Sequence, residues 1–323
     1  MVIDAHVHLY PPEINDDPAG WARQHDEAQW ALLATRVRRN GRPVQSFPSV
    51  ADLLRQLDAA GIDRAVLQGW YWHHAAACVR QNAFYAECIR QHPDRLAAAV
   101  TVFPPAGWAH VGTELTKARD AGFQGIGELS PHAQGYPMDQ PAFSEMVRVA
   151  GEWRWPVNLH VTAPDARPYP GMVPTPLADF AGLAGRFPQT VLVLAHFGGL
   201  EGRNGLSDGG ARSPSALART AGGLSAPGGR APPVPGLLQA PNIYYDSAAA
   251  PLAYDASIWR RMPPGRVLFG SDFPLNLYPG LDAEPELRRF VERTRREAGL
   301  TAAELAAVLG GTANRWFAVK AAI

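Results

Sequence analysis

Val2-Ile3-Asp4-Ala5-His6-Val7-His8 opens the chain with an apolar, β-branched run broken only by one acid and two imidazoles. Strand side chains alternate between faces, so Asp4, His6 and His8 are expected to point one way. Comparable runs follow at Arg64 to Gly69, Leu96 to Phe103, Gly125 to Leu129, Pro156 to Val161, Thr190 to His196, Ile243 to Ser247 and Val267 to Ser271. Between them lie amphipathic stretches: Ser49 to Ala60, Ala75 to His92, Gly107 to Ala121, Pro141 to Trp153 and Pro176 to Phe187. Helix-start signals fall at Ser49, Asp139 and Thr175. Short strands alternating with helices predict parallel βα units, and eight of them closing on themselves predict an α/β fold, a (β/α)8 TIM-type barrel. A doubly wound open sheet is the rival, but no Gly-x-Gly-x-x-Gly follows the first strand.

Two segments break the rhythm within what reads as a single domain over 1–323. Residues 11–47 hold Trp21, Trp30 and Arg36-Val37-Arg38-Arg39; after a first barrel strand such an insertion lies over the mouth, as a lid or a dimer contact. Residues 198–241 are rich in Gly, Pro, Ser and Ala and read as a loop after strand six. Residues 284–297 and 301–318 read as closing helices.

The chain has 323 residues, with 30 basic and 30 acidic side chains and a formal net charge of zero, so no overall field gathers a polyanion. Neither nucleic acid nor a membrane is expected as a partner; a small-molecule substrate is, with a homodimer as the default assembly. With 46% hydrophobic and 19% charged residues, no apolar run long enough for a bilayer and no secretory signal at the start, a soluble cytoplasmic protein is expected. Cys78 and Cys88 have neither disulfide-framework nor metal-pair spacing and read as reduced and structural. Only Lys117 and Lys320 are lysines, and neither lies on a predicted strand, which removes Schiff-base chemistry.

A lone His-x-His is a weak metal signal. It strengthens because Glu128, His160, His196 and Asp272 fall at the ends of the fourth, fifth, sixth and eighth strands, where a barrel builds its active site. Six imidazole and carboxylate groups converging on one rim suit a divalent ion. Asp4, Asn158, Asp246 and Ser271 stand beside these residues and are expected to orient them.

Asp4-Ala5-His6-Val7-His8, Gly127-Glu128-Leu129, Asn158-Leu159-His160, Ala195-His196-Phe197-Gly198-Gly199 and Gly270-Ser271-Asp272-Phe273-Pro274, in that order, resemble the amidohydrolase superfamily. The resemblance is strongest to the amidohydrolase-related branch that also holds decarboxylases and hydratases. It implies a distorted barrel carrying one or two divalent ions, usually zinc. His6, His8 and Asp272 would hold the first ion, and His160 and His196 a second. Glu128 takes the place where many relatives bridge two metals with a carboxylated lysine. With one ion, the ligands would be His6, His8, His160 and Asp272, leaving His196 for proton transfer and Glu128 as a hydrogen-bond acceptor.

The first reading is a metal-dependent hydrolase of a carboxylic ester, lactone or amide, with Asp272 and His196 as catalytic groups. The alternative is a mononuclear zinc lyase, a decarboxylase or hydratase acting on an aromatic-derived carboxylate. A barrel that only binds a ligand is disfavoured by the complete ligand set, and a nuclease by the lack of a basic, aromatic stripe. Substrate contacts are expected from Trp72 and His73 within Trp70-Tyr71-Trp72-His73-His74, and from His132 and Tyr136, with Arg167, Arg203 and Arg212 as carboxylate candidates.

Overall fold

The first strand, β1 (Ile3–Val7), is buried along its whole length, as are β2 (Arg64–Leu67), β3 (Leu96–Val100), β4 (Gly125–Leu129), β5 (Val157–Leu159), β6 (Leu192–Leu194) and β8 (Val267–Leu268). In β7 (Ile243–Asp246) only Tyr244 is partly exposed. Burial on both faces is why these runs are continuously apolar. The computed structural model describes residues 1–38, 41–163, 168–204, 240–248, 259, 262–275 and 286–318. The strands pair in parallel in sequence order. The seam between last and first is joined by hydrogen bonds from Ala5 N to Phe269 O (2.8 Å), Asp272 N to His6 O (2.9 Å) and His8 N to Phe273 O (2.7 Å). The protein is a (β/α)8 barrel.

The insertion after β1 folds into α1 (Pro12–Asp16), α2 (Pro18–Gln24) and α3 (Ala28–Ala34), then a hairpin in which Val37 pairs with Pro43. Its apolar side packs Trp21 and Trp30 with Tyr10, Trp70 and Trp72 in one aromatic cluster. The hairpin is tied to the barrel mouth by an antiparallel bridge between Gln45 and Leu275. The first long helix, α4 (Val50–Ala60), shows how local chemistry sets a boundary. Ser49 accepts from Asp52 N while Asp52 accepts from Ser49 N, closing a capping box, and Gly61 ends the helix with a left-handed φ of 64°. Leu53 and Leu57, one turn apart, bury its inner face, each contributing about 1.5–3 kcal/mol.

Helices α5 (Ala75–Gln91), α6 (Trp108–Asp120), α7 (Pro141–Trp153) and α8 (Leu177–Arg186) lie where the periodicity predicts them. Two start signals do not. Gln140, not Asp139, caps α7 by accepting from Phe143 N (2.7 Å). Thr175 caps no helix; its hydroxyl accepts from Thr162 N (2.8 Å). The sixth strand stops before its expected end: Ala195 begins α9 (Ala195–Asn204), so His196 stands on a helical turn and the first part of the expected loop is helical. Residues 205–239 of that loop lie outside the described residues.

The expected last helix is interrupted. After Leu287–Glu297, a short helix Ala302–Ala306 runs into a wider turn at Ala307–Gly311. A Cβ on Gly310 would lie 2.7 Å from Met1 O, so the chain passes the first strand where a regular alanine-rich helix would not fit. Cys78 and Cys88 are free and buried, and among the described residues no helix is long and apolar enough to cross a membrane.

Candidate metal centre

Four imidazoles meet at the mouth, and in each one ring nitrogen is already committed. His6 Nδ1 donates to Asp246 Oδ2 (2.9 Å), His8 Nδ1 to Gln68 O (3.0 Å), His196 Nδ1 to Ala248 O (2.8 Å), and His160 Nε2 faces Thr162 Oγ1 (3.4 Å). These acceptors set the tautomers, leaving the other nitrogen of each ring with a free lone pair. Those lone pairs converge: His6 Nε2 and His8 Nε2 are 3.0 Å apart, and His196 Nε2 and His160 Nδ1 are 3.1 Å apart.

Glu128, at the end of β4, presents one oxygen to each pair. Its Oε2 is 3.7 Å from both His6 Nε2 and His8 Nε2, while its Oε1 is 3.0 Å from His160 Nδ1 and 3.5 Å from His196 Nε2. Asp272 Oδ1 completes the first group at 3.4 Å from His8 Nε2 and 3.8 Å from His6 Nε2. All six predicted ligands are therefore brought together, and their ligating atoms gather as His6, His8, Asp272 and as Glu128, His160, His196. His160 belongs to the second group rather than to the first, which is not the one-ion set.

Donors bound about 2.0–2.2 Å from one tetrahedral ion lie about 3.3–3.6 Å from one another, close to the separations found here. Without a metal ion, each close N···N approach needs a proton between its two rings, balanced by the buried carboxylates Glu128, Asp246 and Asp272. The donor set thus fits divalent metal ions, and imidazole with carboxylate suits zinc, manganese, iron or cobalt.

The electrostatics agree. Burial works against a charged His6, but Asp246 and Glu128 outweigh it and hold the ring well above its ordinary value. His196 is likewise pushed up against its burial, to about 9, by Glu128, Asp272 and Asp246. Glu128 stays well below the usual carboxylate range despite burial, because His160, His196 and His6 surround it. The metal-free protein accordingly keeps imidazolium–carboxylate pairs, whose protons a metal would displace.

Asp246 organises the centre. Its Oδ2 also accepts from Asn158 Nδ2 (2.9 Å), and its Oδ1 accepts from His196 N (3.0 Å) and Ala248 N (3.1 Å). Asp4 does not join His6 and His8, because the register of β1 against β2 shifts between Asp4 and Val7. Its Oδ1 instead accepts from His6 N (3.2 Å) and Ser271 N (3.0 Å), and burial pushes its carboxyl up to about 6. Ser271 Oγ accepts from Phe273 N (3.1 Å). His196, Phe197, Gly198 and Gly199 form a left-handed turn with φ of 58°, 54°, 59° and 66°, and Asp272 has φ of 60°. Such backbone at non-glycine residues costs about 1–3 kcal/mol each, concentrated here at the ligands.

The predicted substrate contacts fare differently. Trp72 is fully buried, donating its indole N–H to Gln81 Oε1 (2.6 Å) beneath the insertion, and Tyr136 is buried with its hydroxyl on Gln134 (3.3 Å). Both are packed: Trp72 with Trp21 and Trp30 of the insertion, and Tyr136 against Phe143 in the main core. His132 pairs with Asp179 (2.8 Å), and His73 donates its backbone N–H to Glu27 (2.9 Å). The rings beside the ligands are their neighbours. Trp70 lies 5.5 Å from the His8 ring, and Tyr71, stacked on Trp70, lies 5.1 Å from His160. The run Trp70 to His74 pointed to the segment but not to its inward face. Arg167, Arg212 and the side chain of Arg203 lie outside the described residues.

A family model described as amidohydrolase matches residues 3–319. No curated protein matches the sequence significantly. Among solved structures, the chain is similar to a 5-carboxyvanillate decarboxylase from Novosphingobium aromaticivorans, complexed with manganese and 4-hydroxy-3-methoxy-5-nitrobenzoic acid. That match has a TM-score of 0.65 and 17% identity over 98% of this chain and 96% of the other. It is also similar to a 2,6-dihydroxybenzoate decarboxylase from Rhizobium (TM-score 0.60, 15% identity, 98% of each chain). A third is a probable 2-pyrone-4,6-dicarboxylic acid hydrolase from Acinetobacter baumannii with citric acid bound (TM-score 0.61, 15% identity, 98% of each chain).

Proposed function

Since this chain belongs to the amidohydrolase family, we propose that it is a metal-dependent hydrolase that adds water across a carboxylic ester, lactone or amide. The observation that carries this reading is Glu128, whose two oxygens address two separate imidazole pairs. His6, His8 and Asp272 would hold one ion, His160 and His196 the other, and Glu128 would serve both. Divalent ions held there, zinc first among them, supply Lewis acidity to a water and to the substrate carbonyl.

The chain's own residues do the rest. Asp272, on the rim with its oxygen 3.4 Å from His8, is placed to accept the proton of the attacking water and return it to the leaving group. With one ion only, His196 Nε2 would not be a ligand and would instead hold a proton, since the carboxylates around it favour its charged form. Trp70 and Tyr71 wall the site and limit water to the ligand side. Asp246 keeps His6 in the tautomer that leaves Nε2 free.

The similarity to decarboxylases supports a second reading, a lyase with one ion. Metal content per chain, measured by plasma mass spectrometry on protein purified without chelators, separates the two. The hydrolase reading expects about two ions, falling to about one in Glu128→Gln together with most esterase, lactonase or amidase activity. One ion, insensitive to that substitution, overturns it in favour of the lyase.

A further inference from the structure

Glu27 stands between α2 and α3 and is, among the described residues, the one fully buried charged side chain of the insertion. Both of its oxygens reach out of the insertion. Oε2 accepts from His73 N (2.9 Å), while Oε1 accepts from His74 N (3.0 Å) and lies 3.3 Å from His74 Nδ1. His74 is the N-cap of α5, yet its own side chain caps no N–H of that helix. The amino end of a 17-residue helix is therefore answered by a carboxylate brought from the insertion. Burying a carboxylate is costly: burial pushes this one above its ordinary value, and the N–H groups of His73 and His74 pull it back.

This clasp closes one end of the loop that walls the metal centre. At the other end Trp70 N donates to Gln81 Oε1 (2.7 Å), and Trp70 O accepts from Thr101 Oγ1 (2.6 Å). Between the two ends, Trp72 is held by its indole on Gln81 (2.6 Å) and by Gln134 Nε2, which donates to Trp72 O (2.9 Å). The Tyr71 ring is placed by its ring neighbours, Trp70 at 4.5 Å with 23° between planes and His160 at 5.1 Å. Gln81, Thr101 and Gln134 belong to α5, to the end of β3 and to the β4 loop, so these anchors come from the barrel itself. Glu27 brings the insertion's own hold on the loop, next to the stretch that carries Tyr71.

We infer that Glu27 is a positioning residue: it fastens the insertion to the outer end of the β2 loop and so holds the Tyr71 ring, stacked on Trp70, against His160. The inference rests on the reading of the mouth as a metal-dependent active site and goes beyond it. The shape of the wall that a substrate meets is set from outside the metal centre, by a carboxylate of the insertion acting through the first turn of α5.

The test compares wild type, Glu27→Gln and Glu27→Asp in two measurements. Hydrogen exchange read by mass spectrometry follows peptides covering 18–34 and 70–78, with α7 as the control. The glutamine turns an NH2 group toward one of the two backbone donors, so protection of both segments should fall together by about 10- to 100-fold while α7 is unchanged. Aspartate keeps the charge on a shorter stem and should fall between; it carries both measurements if the glutamine variant does not fold. The second measurement is isothermal titration of zinc-loaded protein with acetohydroxamate and benzohydroxamate, which grip a metal through the same two oxygens and differ by a ring. Wild type should favour the ring by about 2- to 12-fold through stacking, and Glu27→Gln should lose that preference while keeping its affinity for acetohydroxamate. Unchanged exchange at 70–78, no ring preference in wild type, a preference retained in Glu27→Gln, or a parallel fall for both ligands with the thermal midpoint overturns the proposal. Wild type that binds neither hydroxamate sinks the metal reading instead, and the exchange data then still report whether Glu27 fastens the insertion to α5.

Discussion

Replacing Asp246 by asparagine changes one atom at the centre of the ligand network, and the structure dictates how the amide settles. Each Asp246 oxygen accepts two donors, so the new NH2 group must face donors on whichever side it takes. Turned toward the backbone N–H groups of His196 and Ala248, it would strand donors that have no alternative, at about 1–3 kcal/mol each. Turned toward His6 and Asn158 it meets groups that can adjust. Asn158 can flip, because its Oδ1 is otherwise unpartnered. His6 can become an acceptor at Nδ1 by moving its proton to Nε2. That proton then occupies the lone pair meant for the metal. Loss of such an outer partner costs about 10- to 100-fold in metal affinity, or about 1.4–2.7 kcal/mol. The loss should fall on the group containing His6 and His8, while His196 keeps both of its contacts. Competition titration of chelator-stripped protein with a fluorescent zinc indicator reads the two affinities separately. Two affinities within twofold of wild type in a folded Asp246→Asn protein would refute the tautomer argument.

Two further substitutions probe the surroundings. Asp4→Asn removes a carboxyl whose folded value of about 6 exceeds its ordinary 3.8, so the folded wild type binds that proton more tightly and loses stability as pH rises through this window. The stability of Asp4→Asn relative to wild type should therefore increase by up to about 3 kcal/mol between pH 4 and pH 8, measured by urea denaturation of metal-free protein; a pH-independent difference would contradict it. Gly270→Ala places a methyl 2.8 Å from His6 Cβ, and the strain, about 1–3 kcal/mol, should lower both the thermal midpoint and the zinc content; retention of both would show that β1 can yield.

The barrel was legible because parallel strands buried on both faces must be written as apolar runs, and every run ended in a turn or a ligand. The six side chains that meet at the mouth were legible for the same reason, since an ionisable group at or just past the end of such a run has nowhere to go but the mouth. What escaped the sequence depends on contacts between distant segments. Trp72 and Tyr71 are neighbours of similar character, and only the folded insertion decides that the first is enclosed and the second faces His160. The register shift in β1 diverts Asp4 to backbone N–H groups, which strict alternation cannot anticipate. The alanine-rich 302–309 stretch has the local preference for a regular helix, but the two glycines that follow and the close passage by Met1 reshape its end.

The left-handed turn from His196 to Gly199 has a consequence for anyone who would transplant this centre. A Cβ on Gly198 would meet Tyr245 Cε1 at 2.9 Å, so the turn is matched to its seat as well as to its handedness. Idealised barrel scaffolds keep non-glycine residues out of positive φ, and six ligands copied onto such a backbone would leave His196 and Asp272 aimed elsewhere. The portable unit is the side chains together with the mirror-handed stretch of main chain that launches one of them.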